Sequence, residues 1–158
     1  MVYLHIFLRS LGLVLASALV VVGYFVAPVA FSSLDQVTAG NLVGQLLMGL
    51  NIAILVTLLS LLIIKIGRIE DFVHNWLLLI SVIITCLVEF WISPRMQVIK
   101  GAYPSGLTKL APEWTAFAMW HGIYQMLFLS LIICLFIWSV KNINHMILKE
   151  KIDYKKSL

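Results

Sequence analysis

The chain has 158 residues, 62% of them hydrophobic and only 11% charged, with a mean hydropathy of +1.04. So little polar surface excludes a soluble globule of this size and leaves no segment for a separate soluble domain. The net charge of +4 and pI near 9.2 do not point to nucleic acid, because the basic residues flank long uncharged runs, where a membrane protein needs them.

Those runs are Ser10 to Leu34, Gln36 to Ile64 and Trp114 to Val140, which contain no Asp, Glu, Lys or Arg, and Phe72 to Pro94, which contains only Glu89. Each exceeds the ~20 residues that cross a hydrocarbon core as helix, and backbone groups in lipid must be satisfied internally. The expected fold is all-α: one transmembrane domain over residues 1–158, a four-helix bundle running antiparallel, up-down-up-down.

The first helix is expected over about 10–31, after a short start carrying His5 and Arg9. Its apolar run is too long for a signal-peptide core, and Pro28 stands where a small residue would precede a cut, so it stays as a span. Pro28 falls one turn from the helix end, where its missing hydrogen bond costs little. The link Ser32 to Thr38 is short and makes a hairpin, with Asp35 outside.

The second helix is expected over about 40–65, beginning near Thr38 or Gly40. Gly40, Gly44 and Gly49 on it, and Gly12 and Gly23 on the first helix, have the small-residue spacing that permits close backbone approach, read here as packing of helices one and two. An inner loop follows with Lys65, Arg68, Glu70, Asp71 and His74. The third helix is expected over about 73–93, with Trp91 as an interfacial anchor. Next comes an irregular outer loop over 94–112 that contains Tyr103, Pro104, Gly106 and Pro112 and caps the bundle. The fourth helix is expected over about 113–140, followed by a lysine-rich tail over 141–158, in which Ile143, Met146 and Ile147 recur at helical spacing beside lysines.

With the amino terminus inside, the cytoplasmic flanks hold Arg9, Lys65, Arg68, Lys141, Lys149, Lys151, Lys155 and Lys156, and the outer side only Arg95, Lys100 and Lys109. The positive-inside rule then places both termini in the cytoplasm, in a bacterial inner membrane, with anionic lipid as partner of the tail. Cys86 and Cys134 lack CxxC spacing, lie at different depths and read as small apolar side chains.

A carboxylate within a span marks a functional-site hypothesis. Glu89 lies ~9 Å below Arg95, and His121 ~12 Å below Glu113, counting ~1.5 Å per helical residue. Similar counting brings Gln45 and Tyr24 to the same outer half, while His121, Tyr124, Gln125 and Phe128 share one stripe of helix four. The expected locus is Glu89 paired with His121, joined by Gln45, Tyr124, Gln125 and Arg95. It organises the bundle or holds a ligand. Three chemistries are open: copper, with Met96, Met119 or Met126 as soft donors; haem, with His121 axial; and a proton or ion relay.

The stretches Gly23 to Phe31, Ser93 to Met96 and Trp120 to Gly122 resemble an uncharacterised four-helix membrane family that includes a eukaryotic transmembrane protein linked to platinum-drug resistance. More distantly, the chain is similar to the CopD copper-resistance and HemJ haem-biosynthesis proteins. The resemblance implies an outer-face constellation of Pro28 with Phe31, Pro94 with Arg95, and His121 with Gly122. It departs from the CopD and HemJ pattern in having His5 before the first span instead of a histidine within it, and Phe128 where some members place a polar residue. The leading expectation is a small non-catalytic membrane protein with an intramembrane polar cluster. Its rivals are a haem- or metal-dependent redox protein of HemJ or CopD type and a transporter subunit, which would require a homo-oligomer.

Overall fold

The computed structural model describes residues 2–67 and 72–156. Arg68, Glu70 and Asp71 of the expected inner loop lie outside the described residues. Among these there are four helices long and apolar enough to cross a membrane. The chain is therefore an all-α, multi-pass membrane protein.

Helix α1 is a continuous rod made of Val2–Val20, a π-helical turn Val21–Val26, and Ala27–Ser33. Helix α2 is Gln36–Ile66. Helix α3 joins Asn75–Leu87, a second π turn Val88–Ile92, and Ser93–Gly101. Helix α4 is Trp114–Lys156. Each rod touches its neighbour in sequence, and α4 closes the ring by packing along α1. The start of α1 and the end of α4 lie at one end, called here the terminal end; the 34–35 link and the 102–113 connection lie at the other, the loop end.

The helix ends differ from the sequence expectation for local reasons. Helix α2 starts at Gln36 because the Asp35 carboxylate caps it, accepting from the Val37 and Thr38 N–H groups at 3.0 Å each, which meets two of the orphan donors of the first turn. The Thr38 side chain and N–H, with Val37 N–H, hold the Asp35 carboxyl below its ordinary value. Helix α3 does not stop at Ser93: Ser93 and Pro94 open a further helical segment to Gly101, so the irregular stretch is 102–113 and not 94–112. The residues from 141 onward continue α4 as far as Lys156.

The 102–113 connection lies over the loop end. Leu107 is buried, its carbonyl accepts from the Gln36 side-chain amide at 3.3 Å, and the Tyr103 hydroxyl donates to Glu113. Gly106 turns the chain at φ 103° close against Val37, a conformation that favours glycine.

Packing is uneven along the bundle. The continuous core, with Leu19, Ile54, Leu58, Leu78, Leu131, Leu135 and Trp138 fully enclosed, fills the middle and the terminal half. Toward the loop end, Ala30 on α1 meets Ala39 and Val43 on α2 in a small separate cluster. There α1 leans on α2, and the start of α4 is left uncovered on that side.

The glycines are a correction. Gly12 and Gly23 do not join α1 to α2; they admit Ser139, Leu135 and Phe128 of α4. Gly40 admits Lys100 of α3 and Phe31 of α1, while Gly44 and Gly49 meet nothing within 4 Å. Small-residue spacing specifies where a backbone can be approached, and not by which helix.

Candidate functional site

Both π turns stand just before a proline, in matching sequence: Tyr24-Phe25-Val26-Ala27-Pro28 on α1 and Phe90-Trp91-Ile92-Ser93-Pro94 on α3. Each reads aromatic, aromatic, β-branched, small, proline. A proline inside a helix lacks an N–H and crowds the carbonyl one turn back. One inserted residue per turn relieves this, with Ala27 N–H donating to Val22 C=O and Ser93 N–H to Val88 C=O. On α3 the Arg95 guanidinium also donates to the Trp91 carbonyl at 2.9 Å. Such turns are frequent at functional sites, and this one carries Glu89.

With α3 running on to Gly101, Glu89 lies near the midpoint of its rod, and Asn51 near the midpoint of α2. The Asn51 amide donates to Glu89 Oε2 at 3.1 Å. Asn51 is 2% exposed, and Glu89 is half-buried. The buried Tyr124 of α4 has its hydroxyl within electrostatic reach of both. Three helices thus contribute an amide, a carboxylate and a phenol to one level, and the polar side-chain atoms of Glu89 and Tyr124 are all oxygen. Below Glu89, Thr85 and Ser81 continue a fully buried stripe at helical spacing, each hydroxyl donating to the carbonyl four residues earlier at 2.8 Å.

This geometry revises the expected locus. Tyr124 joins Glu89, but among the described residues Glu89 makes no ion pair, and its hydrogen-bond partner is Asn51, not His121. His121 is exposed on the uncovered side of α4, stacked on Phe117 at 5.9 Å and touching Gln125 at 3.5 Å. Gln125 and Gln45 are exposed as well. Tyr24 packs its ring on Phe128 at 6.4 Å. Arg95 faces the groove between α3 and α4. The level is the middle of the bundle and not its outer half, because depth counted from Arg95 places Glu89 too near the surface once the helix continues beyond Pro94.

Depth counted from Arg95 sets the level too near the loop end, where Gln45 and not Asn51 falls on α2; an asparagine at membrane depth is itself costly unless paired. Nor do the expected metal donors converge: among the described residues no three His, Cys, Asp or Glu side chains cluster as a metal site would require. Met119 and Met126 are exposed on α4, and Met96 packs against the core.

A family model, the domain of unknown function DUF4149, matches residues 11–104, more than half of the chain. The chain belongs to that family. The match takes in α1 from Leu11, all of α2 and α3, both π turns, Asn51, Glu89 and Arg95; Tyr124 and His121 lie beyond it. No curated protein and no solved structure matches this DUF4149 chain.

At the terminal end the DUF4149 chain has a second polar assembly. Ser139 of α4 donates to the Arg9 carbonyl at 2.6 Å and accepts from Leu13 N–H at 3.1 Å, bridging one helical step of α1. The Asn142 side chain accepts from Val73 N–H at 2.8 Å and donates to Val73 C=O at 3.0 Å and Trp138 C=O at 2.8 Å. Phe72 is wedged edge-on against Trp138 at 5.4 Å, with the buried Arg9 guanidinium over its ring at 5.5 Å. These side chains clasp α1, α4 and the entry to α3. All of the groups are buried and their bonds run mostly to backbone, so their chemistry is structural.

Proposed function

We propose that the protein acts through the Asn51, Glu89 and Tyr124 cluster as a binding site for a small hard cation, the proton included. The supporting observation is a carboxylate near the middle of a membrane helix whose hydrogen-bond partner is a neutral amide. Negative charge at that depth is costly without a compensating positive charge, and carboxylate, amide carbonyl and phenol oxygens suit a hard cation. The uncovered side of α4, where His121 stands one turn nearer the loop end than Tyr124, supplies the approach. A haem or copper centre of HemJ or CopD type has less support, since His121 turns to Phe117 and Gln125 and the exposed methionines lie apart from Glu89.

The test is thermal unfolding of purified protein in lithium, sodium or potassium chloride against a bulky organic cation at equal ionic strength, and across pH. The bound cation is expected to raise the stability of the wild type, by about 2.7 kcal/mol at a hundredfold excess over Kd. In Glu89→Gln that dependence disappears. Identical ion and pH responses of the two proteins would defeat the proposal.

Both termini are assigned to the cytoplasm of a bacterial inner membrane. Arg9, Lys65, Lys141, Lys149, Lys151, Lys155 and Lys156 gather at the terminal end, against Arg95, Lys100 and Lys109 toward the other, and the lysines of late α4 would meet anionic lipid. A fluorescent-protein fusion after Leu158 is expected to fluoresce and a phosphatase fusion there to be inactive. The opposite pair of results inverts the assignment.

A further inference from the structure

We propose that the groove between α3 and α4 beside Arg95 binds the phosphodiester headgroup of a membrane phospholipid in the leaflet at the loop end. The Arg95 guanidinium carbon lies 3.9 Å over the Trp91 ring and 5.3 Å from that of Trp120, and one of its nitrogens donates to the Trp91 carbonyl. The cation is thus held against two indole rings and by one hydrogen bond. Arginine offers five N–H donors in a planar fork; most of these remain unused, and no carboxylate pairs with Arg95 among the described residues. A fixed fork with donors to spare is the arrangement that takes a phosphate oxyanion through two parallel bonds.

Depth and shape identify the source of that phosphate. Arg95 stands ~9 Å before the Gly101 end of α3, at ~1.5 Å per residue. This 27-residue rod exceeds a ~30 Å hydrocarbon core, so Arg95 falls near the boundary of acyl chains and headgroups, where tryptophans also collect. The groove has a volume of about 450 Å³, and Phe90, Val98, Ile99 and Trp120 give it apolar walls on either side of the single charge. Apolar walls around one cation complement an amphiphile with one anionic group. Free phosphate would leave those walls unmatched. Lys100, the nearest other cation along α3, reaches instead to the Gly40 carbonyl on α2 at 3.2 Å and does not line the groove, which leaves Arg95 as the recognising group.

The experiment uses the full chain in a non-ionic detergent, with phosphatidylglycerol retention read by native mass spectrometry. The wild type is expected to retain the lipid. Arg95→Gln loses about tenfold or more, the scale of removing charge-assisted bonds, while Lys155→Gln with Lys156→Gln changes nothing. Diacylglycerol with the same acyl chains is not retained, and inorganic phosphate does not displace the lipid. If Arg95→Gln does not fold, Arg95→Lys takes its place, with a several-fold loss expected because an ammonium cannot fork. Equal retention in the folded Arg95 variant, equal retention of diacylglycerol, or displacement by inorganic phosphate each overturns the proposal, the last in favour of a free-anion site.

Discussion

Asn142→Leu is expected to destabilise the protein by about 2–6 kcal/mol, because it strands the N–H and C=O of part-buried Val73 at ~1–3 kcal/mol each. The side chain is fully enclosed and pairs with both the N–H and the C=O of Val73. Leucine has the same branched skeleton, is bulkier, and can neither donate nor accept. The burial of Phe72, Trp138 and Asn142 hinders water from replacing the lost partners. Asn142→Asp keeps an acceptor for Val73 N–H and loses the donor to its carbonyl, so part of the effect should return together with the cost of a buried charge. The exposed neighbour Asn144 provides the control. Thermal or denaturant unfolding in micelles measures all three, and an Asn142→Leu midpoint as mild as that of Asn144→Leu would remove the clasp from the account of stability.

The number and class of the helices were legible because lipid leaves the backbone no alternative: an uncharged run long enough to span must be helical. Helix ends were less legible, since they depend on single contacts. Asp35 starts α2 earlier than its glycines suggested, and the π turn at Val88–Ile92 lets α3 pass a proline that would ordinarily end it. That last difference propagated into the site. Taking Arg95 as the end of the helix raised Glu89 toward the surface and matched it with His121; the longer helix lowers it to Asn51. Glu89 itself was legible as the sole charge in its run, and Tyr124 through its spacing from His121. Their convergence was not, because a helical wheel reports which face a residue occupies and not which helix covers that face. His121 occupies the stripe of Tyr124 and Phe128, yet α1 leans away at that level and leaves it exposed.

The same distinction governs the glycines, where the second large effect is expected. Gly12→Val should cost about 3 kcal/mol, at the upper end of what overpacking a tight core does. A Cβ at Gly12 would stand 2.6 Å from Ser139 Oγ and 2.7 Å from the Leu135 carbonyl oxygen. The hydroxyl could rotate away only by giving up Arg9 C=O and Leu13 N–H, and the carbonyl belongs to the α4 backbone, so relief requires α1 and α4 to separate. Gly44→Ala and Gly49→Ala introduce the same atom into open space. They should change stability by no more than the gain of up to ~1 kcal/mol that alanine brings over glycine within a helix. Unfolding midpoints of the three variants decide the matter. If Gly12→Val is harmless, α1 and α4 are not held together at this point. If instead Gly44→Ala or Gly49→Ala is damaging, a helix from a second chain lies against α2, because only a close backbone neighbour can make a single methyl group costly there.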